Sequence, residues 1–186
     1  TSSYWDVVKA VATDEGFELL VQGESSLVGR YQVWSVDASG VIDDKSRWNT
    51  GDQMLLLGYE EKFNSDLNLD SIIGEPPVVD ADGDGLIDGA TFYRILKNDK
   101  GVLLTDGGGR TFTEGSSPYW NVAKSVADDA GFQVLVEGER SLAGQYQVWS
   151  LDSAGVIGDK SRWMMGDQML SVGYEDVFNQ DFNGDG

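Results

Sequence analysis

The chain has 186 residues, of which 40% are hydrophobic and 11% aromatic, enough to fill one domain core or two small ones. Its 32 acidic residues against 13 basic ones give a formal net charge of −19. This balance argues against nucleic acid as a partner, because phosphate binding needs a basic surface. Apolar runs are also too short for membrane insertion.

The sequence contains no histidine and no cysteine. Catalytic Ser-His-Asp and Cys-His systems, zinc sites built from imidazole or thiolate, and disulfides are therefore excluded. A bound metal would need oxygen ligands, which favours calcium or magnesium.

An internal duplication organises the chain. Residues 2–71 align with 117–186 at a constant offset of 115 and without gaps, and 44 of the 70 paired positions are identical. We therefore predict module 1 over residues 1–74 and module 2 over residues 116–186. Residues 75–115 are predicted to hold an acidic calcium loop and a β-hairpin, which either supply the first strands of module 2 or space the modules apart.

The predicted elements repeat in each module. The segments 17–21 and 31–36 are rich in aromatic and β-branched residues, which favours strands, and residues 37–40 form a hairpin turn. Leu55, Tyr59 and Phe63 recur every fourth residue, which predicts one helix that either tolerates Gly58 or begins after it. The predicted fold is α+β, a tandem repeat of small antiparallel-sheet modules, each with one helix followed by an EF-hand-like calcium loop.

The connector carries the clearest metal-binding pattern, D-x-D-x-D-G-x-I-D over residues 80–88. Acidic residues at positions 1, 3 and 5 of such a loop converge on one hard cation, glycine at position 6 permits the turn, and position 7 offers its backbone carbonyl. Position 12 is Thr91 instead of glutamate, so we expect weak affinity, with a Kd of about 10⁻⁴–10⁻³ M. The candidate calcium ligands are Asp80, Asp82, Asp84, Leu86 and Asp88.

Each module ends in a related loop directly after the predicted helix. The first copy has Ser71 where glycine is expected, which predicts a weakened site, and the second copy keeps the glycine but stops inside the loop, so we expect a longer natural chain. The candidate ligands are Asp66, Asn68, Asp70 and Ile72 in the first copy, and Asp181, Asn183 and Asp185 in the second.

The six tryptophans form three pairs at the repeat offset. Matched positions in a repeat are typical of core residues, and large rings help a small module to build a core. The alternative is an aromatic platform for sugars, for which Trp34 and Trp149 are the candidate ligand-binding residues, because Trp34 lies on the opposite strand face from Tyr31 and Val33.

These motifs together resemble the tryptophan-rich C-terminal domain family of haemolysin-type calcium-binding secreted bacterial proteins. The resemblance rests on residues 16–21, on Tyr31-Gln-Val-Trp34 followed by a D-x-x-G turn, and on the Y-E-x-x-F-x-x-D segments that begin at Tyr59 and Tyr174. It covers most of both copies, and Leu69 and Ser71 depart from it. It implies an extracellular or cell-surface module that binds calcium and has no established catalytic activity.

We therefore expect a non-enzymatic structural or adhesive module that contacts neighbouring modules of the same protein or assembles with further copies. A calcium-dependent module that binds extracellular polysaccharide is the alternative. A glycoside-active enzyme with two carboxylates ranks third, because duplication of the whole module, with its acids mostly in turns, argues against it.

Overall fold

The computed structural model describes residues 4–186. The chain divides into two compact units, Thr1–Pro76 (unit 1) and Pro77–Gly186 (unit 2). The acidic loop and hairpin of the connector therefore belong to unit 2.

Unit 1 is one antiparallel sheet followed by two short helices. The strands pair in the order β1-β2-β3-β4, and β5 pairs with β3 beside β4. A 3₁₀ turn at Ser25–Leu27 links β2 to β3. The elements are β1 (Trp5–Thr13), β2 (Gly16–Gly23), β3 (Arg30–Asp37), β4 (Ile42–Lys45), β5 (Asn49–Thr50), α1 (Gly51–Leu56) and α2 (Tyr59–Phe63).

Unit 2 repeats this arrangement after a separate hairpin. That hairpin forms its own two-stranded sheet and does not join the five-stranded sheet, which has the order β11-β10-β9-β8 with β12 on β10. The elements are β6 (Arg94–Lys97), β7 (Lys100–Leu103), β8 (Trp120–Ala127), β9 (Gly131–Gly138), β10 (Gln145–Asp152), β11 (Ile157–Lys160), β12 (Met164–Met165), α3 (Gly166–Ser171) and α4 (Tyr174–Phe178), with 3₁₀ turns at Glu114–Ser116 and Arg140–Leu142.

The predicted α+β class is wrong. The structure is mostly β, with 40% strand and 17% helix over the described residues 4–186. The single predicted helix is interrupted at Gly58, which adopts the left-handed conformation (φ 74°) and separates α1 from α2. Gly173 (φ 82°) does the same in unit 2. The apolar residues at every fourth position, Leu55, Tyr59 and Phe63, are therefore divided between two helices of six and five residues and do not lie on one longer helix.

The helices of each unit cover one face of its sheet. In unit 1 this helix-side core is formed by Leu20, Tyr31, Val33, Met54, Phe63 and Leu67. The opposite face, called the distal face below, carries alternate residues of the same strands. In unit 2 the distal face is buried against residues 77–115, called the covering segment below.

Among residues 4–186, no helix is long and apolar enough to span a membrane.

Candidate functional site

The three acidic residues at positions 1, 3 and 5 of the connector loop converge. Asp80, Asp82 and Asp84 each present one carboxylate oxygen within 4.8 Å of the other two. Asp80 and Asp84 are partly buried, whereas Asp82 is exposed. Asp84 also lines a cleft of about 540 Å³, so solvent ions can reach this side of the loop. Three oxygen donors at this spacing suit a hard divalent cation.

Backbone hydrogen bonds to the first aspartate shape the loop. The N–H of Gly83 donates to Asp80 Oδ1 at 2.8 Å, and the N–H of Gly85 donates to Asp80 Oδ2 at 3.1 Å. Both glycines have positive φ, 76° and 82°. The aspartate at position 1 is thus held by the third and fifth residues after it.

The two loops that follow the helices repeat this pattern. Asp66 accepts from the N–H of Leu69 at 2.7 Å and of Ser71 at 2.9 Å. Asp181 accepts from Gly184 at 2.6 Å and Gly186 at 3.1 Å. The three predicted loops therefore share one local conformation, although the loop that begins at Asp66 has Leu69 and Ser71 where the other two loops have glycine.

The residues at positions 3 and 5 make the same contact in the two loops that follow the helices. In the helix-following loops the amide Nδ2 of the asparagine donates to the neighbouring aspartate, from Asn68 to Asp70 at 2.8 Å and from Asn183 to Asp185 at 2.9 Å. These loops thus combine two carboxylates with one amide, which is less negative charge than the three carboxylates of the connector loop. We expect weaker cation binding there.

The connector loop is tied to the core of unit 2. Leu86 and Ile87, at positions 7 and 8, are 9% and 6% exposed. The N–H of Ser125 in β8 donates to the carbonyl of Asp84 at 2.7 Å. A Cβ on Gly85 would lie 2.2 Å from the Ser125 carbonyl, so only glycine permits this approach. Movement of the aspartates is thereby coupled to the sheet.

The remaining predicted ligands have other arrangements. Asp88 lies outside the group of three, and its carboxylate accepts from the N–H of Ala81 at 2.7 Å, which closes the loop. Leu86 and Ile72, predicted to offer backbone carbonyls, have N–H groups that donate to Asp84 at 2.7 Å and to Asp70 at 2.8 Å. They stand at the same place in the two loops.

A buried glutamate holds the first helix-following loop, and sequence reasoning missed it as a functional residue. Glu60 in α2 is fully buried and accepts from the N–H groups of Leu67 (2.8 Å), Asn68 (3.0 Å) and Gly74 (3.0 Å). Its counterpart Glu175 accepts from Phe182 at 3.0 Å. The sequence did offer a signal for this residue, because both repeats contain a G-Y-E triplet whose glutamate lies six residues before the first aspartate of the loop.

Electrostatics distinguish the loops. Burial raises the pKa of Asp84, and the charges of Asp82 and Asp80 raise it further against the lowering effect of the Leu86 N–H. Backbone hydrogen bonds from Gly184 and Gly186 instead lower the pKa of the exposed Asp181. The connector loop thus carries repulsion that a bound cation would relieve.

The candidate sugar-binding tryptophans are core residues. Trp34 is 5% exposed and Trp149 is 1% exposed. Trp5 packs edge-on against Trp34 with ring centroids 4.7 Å apart, and the Lys45 ammonium lies 3.9 Å from the centroid of the Trp34 ring. Trp120 and Lys160 cover Trp149 in the same way, at 5.0 and 3.8 Å. Neither ring offers an open face, so the structure does not support a sugar platform at these positions.

No protein-family model, curated protein or solved structure matches this chain. The resemblance to the tryptophan-rich C-terminal domain family therefore stays a prediction that rests on the sequence motifs alone.

Proposed function

We propose that this chain is a non-catalytic, calcium-binding structural module of an extracellular or cell-surface bacterial protein. Calcium would stiffen its acidic loops, and its partners would be neighbouring modules of the same protein or further copies. The bacterial and extracellular parts of the proposal come from the family resemblance, and the calcium part comes from the loops.

The observation that carries the proposal is the convergence of Asp80, Asp82 and Asp84 within 4.8 Å. Three carboxylates at this separation repel one another, and a divalent cation bound to their oxygens removes that repulsion. The same backbone hydrogen bonds recur in the loops that begin at Asp66 and Asp181. The aspartates at positions 3 and 5 also accept turn-type hydrogen bonds, from the N–H groups of Asp84 at 3.2 Å and Leu86 at 2.7 Å, so the convergence of the three carboxylates, and not the turns, supports the proposal.

A structural role follows from how the loops are attached. The connector loop continues directly into Leu86 and Ile87, which are buried, and is bonded to β8 through Ser125. A cation that holds this loop favours the folded state over the unfolded chain, in which the ligands are separated. With a Kd of about 10⁻⁴ M, calcium at about 10 mM would add roughly 2.7 kcal/mol to the unfolding free energy of unit 2.

The test is calorimetric titration of the chelator-treated chain with calcium, together with its melting temperature in calcium and in chelator. Asp82→Asn and Asp84→Asn should each abolish or strongly weaken binding at the connector loop. Asp99→Asn is the matched control, because this exposed residue in the β6–β7 turn loses the same charge outside the loop. The proposal fails if calcium releases no heat and leaves the melting temperature unchanged.

Polysaccharide binding is not supported by Trp34 and Trp149, the residues that suggested it, because both side chains are buried. A glycan array on the calcium-loaded chain still tests it independently of those rings.

A further inference from the structure

The distal face of the unit 1 sheet is apolar. Strand register places alternate residues of β1 to β4 on this face, because paired residues of neighbouring strands point to the same side. Its apolar members are Trp5, Val7, Ala10, Ala12, Phe17, Leu19, Val21, Trp34, Val36 and Ile42, and the same register adds the polar residues Gln32 and Lys45.

The equivalent face in unit 2 has the same architecture but is buried. The irregularity in β1 between Val7 and Lys9 recurs in β8 between Val122 and Lys124, so the two faces correspond residue by residue. Four buried residues of the covering segment pack on the face in unit 2, namely Leu86, Ile95, Leu104 and Phe112.

Exposure shows the difference between the two faces. Val7 is 41% exposed, whereas its counterpart Val122 is 4% exposed; Phe17 is 45% exposed, whereas Phe132 is 1% exposed. Each of these pairs consists of identical residues. Val7, Phe17 and Ile42 are thus at least 41% exposed on the unit 1 face, whereas Val21, Trp34 and Val36 of the same face are at most 9% exposed.

The backbone groups that dock the covering segment also have counterparts. The N–H of Thr105 donates to the Gly155 carbonyl at 2.9 Å, and the N–H of Ile157 donates to the Thr105 carbonyl at 2.8 Å. A Cβ on Gly155 would lie 2.3 Å from the Leu103 carbonyl. Gly40 and Ile42 occupy the same places in unit 1, and a Cβ on Gly40 would meet nothing within 4 Å.

Polar contacts at the edges match as well. In unit 2 the Tyr93 hydroxyl donates to Asn121 Oδ1, and Asp6, at the matching position, also offers a side-chain oxygen acceptor. Asp106 of the covering segment attracts Lys160, and Lys45 holds the corresponding place on the unit 1 face.

We propose that the distal face of unit 1 is a docking surface for a second segment of the covering-segment type, an acidic loop followed by a β-hairpin, joined ahead of β1 as residues 77–115 are joined ahead of β8. The segment would bury Val7, Phe17 and Ile42 and would pair with the turn at Gly40. This inference does not depend on calcium binding, because none of the apolar, backbone or polar side-chain contacts that carry it requires a bound cation.

The experiment adds a second copy of residues 77–115 directly before Thr1 of the full chain. Hydroxyl-radical labelling of Phe17 is measured by mass spectrometry and compared with Phe132 in the same molecule. Labelling of Phe17 should fall to the level of Phe132, and amide exchange in β1 and β4 should slow. The matched control carries Leu104→Asp and Phe112→Asp in the added copy only, and its Phe17 should label as in the original chain.

Two results would overturn the proposal. One is unchanged labelling of Phe17 in the extended chain, or protection that the control variant shows equally. The other is a dimer of the original chain, detected by sedimentation and dissociated by Phe17→Asp, in which Phe17 is already protected. That dimer would make a second copy of the chain the occupant of the face.

Discussion

Truncation of one phenylalanine in each repeat should have very different effects on stability. Phe132 is 1% exposed, packs in the core beneath the covering segment, and has the Lys97 ammonium 4.6 Å from its ring centroid. Phe132→Ala therefore removes the full transfer free energy of a buried ring and leaves a cavity, at a cost of about 3–5 kcal/mol.

Phe17 has the same position in unit 1 but keeps 45% of its surface in water. Roughly half of the transfer term is then lost in Phe17→Ala, and no closed cavity forms because the face is open, so we expect a cost of about 1 kcal/mol.

Native-state hydrogen exchange followed by mass spectrometry is the suitable assay, because peptides from β2 and β9 report the opening free energies of the two units separately. In the double variant, each peptide should show the same loss as in the corresponding single variant, within about 0.5 kcal/mol, if the sites are independent. Equal destabilisation by the two single variants would refute the claim that the faces differ in burial.

Three further predictions concern the loops. Leu69 and Ser71 have φ values of 65° and 73°, so Leu69→Gly and Ser71→Gly should each raise the unfolding free energy of unit 1 by about 1 kcal/mol in urea denaturation, and a loss of stability would contradict the strain argument. Glu60→Gln keeps the size of the side chain but weakens three backbone hydrogen bonds to a buried carboxylate, so it should cost about 1–3 kcal/mol in the same assay, and an unchanged midpoint would show that the contact contributes nothing. Asp84→Asn should raise the melting temperature in chelator at neutral pH, because burial and neighbouring acids raise the pKa of Asp84 and its ionised form therefore disfavours the fold. In calcium the same variant should lower the melting temperature, because a cation ligand is lost. A shift of the same sign in both buffers would show that Asp84 does not bind the cation.

Strand prediction succeeded where local composition was decisive. The aromatic and β-branched segments 17–21 and 31–36 lie within β2 and β3. The long strand β1 was not predicted, although its residues Trp5 to Thr13 recur in part at the repeat offset. Its irregularity between Val7 and Lys9 breaks the alternation that marks a strand.

The helix prediction failed for a backbone reason. Leu55, Tyr59 and Phe63 have helical spacing, but spacing does not reveal that Gly58 takes a left-handed conformation and ends the first helix. Helix α1 begins at Gly51. Thr50 caps α1 by accepting from the Gln53 N–H at 3.3 Å, while the Gln53 side chain accepts from the Thr50 N–H at 2.9 Å.

The loops were the most predictable part of the candidate site, because their internal hydrogen bonds join residues two to seven positions apart. What holds them in place was not predictable, since Glu60 reaches as far as Gly74 and Ser125 bonds to Asp84 across the unit. The packing of residues 77–115 on the unit 2 sheet was not predictable either. It depends on close backbone approaches, such as that of Leu103 to Gly155, which leave no periodic pattern in the sequence.

A crystal structure of the chain grown in millimolar calcium is the direct test of calcium binding by the connector loop, because anomalous scattering separates calcium from water. We expect one ion bound by oxygens of Asp80, Asp82 and Asp84 at about 2.3–2.6 Å, with the weaker site at Asp66 less occupied. An ordered connector loop in the same conformation, with only water between the three aspartates, would contradict calcium binding at this loop.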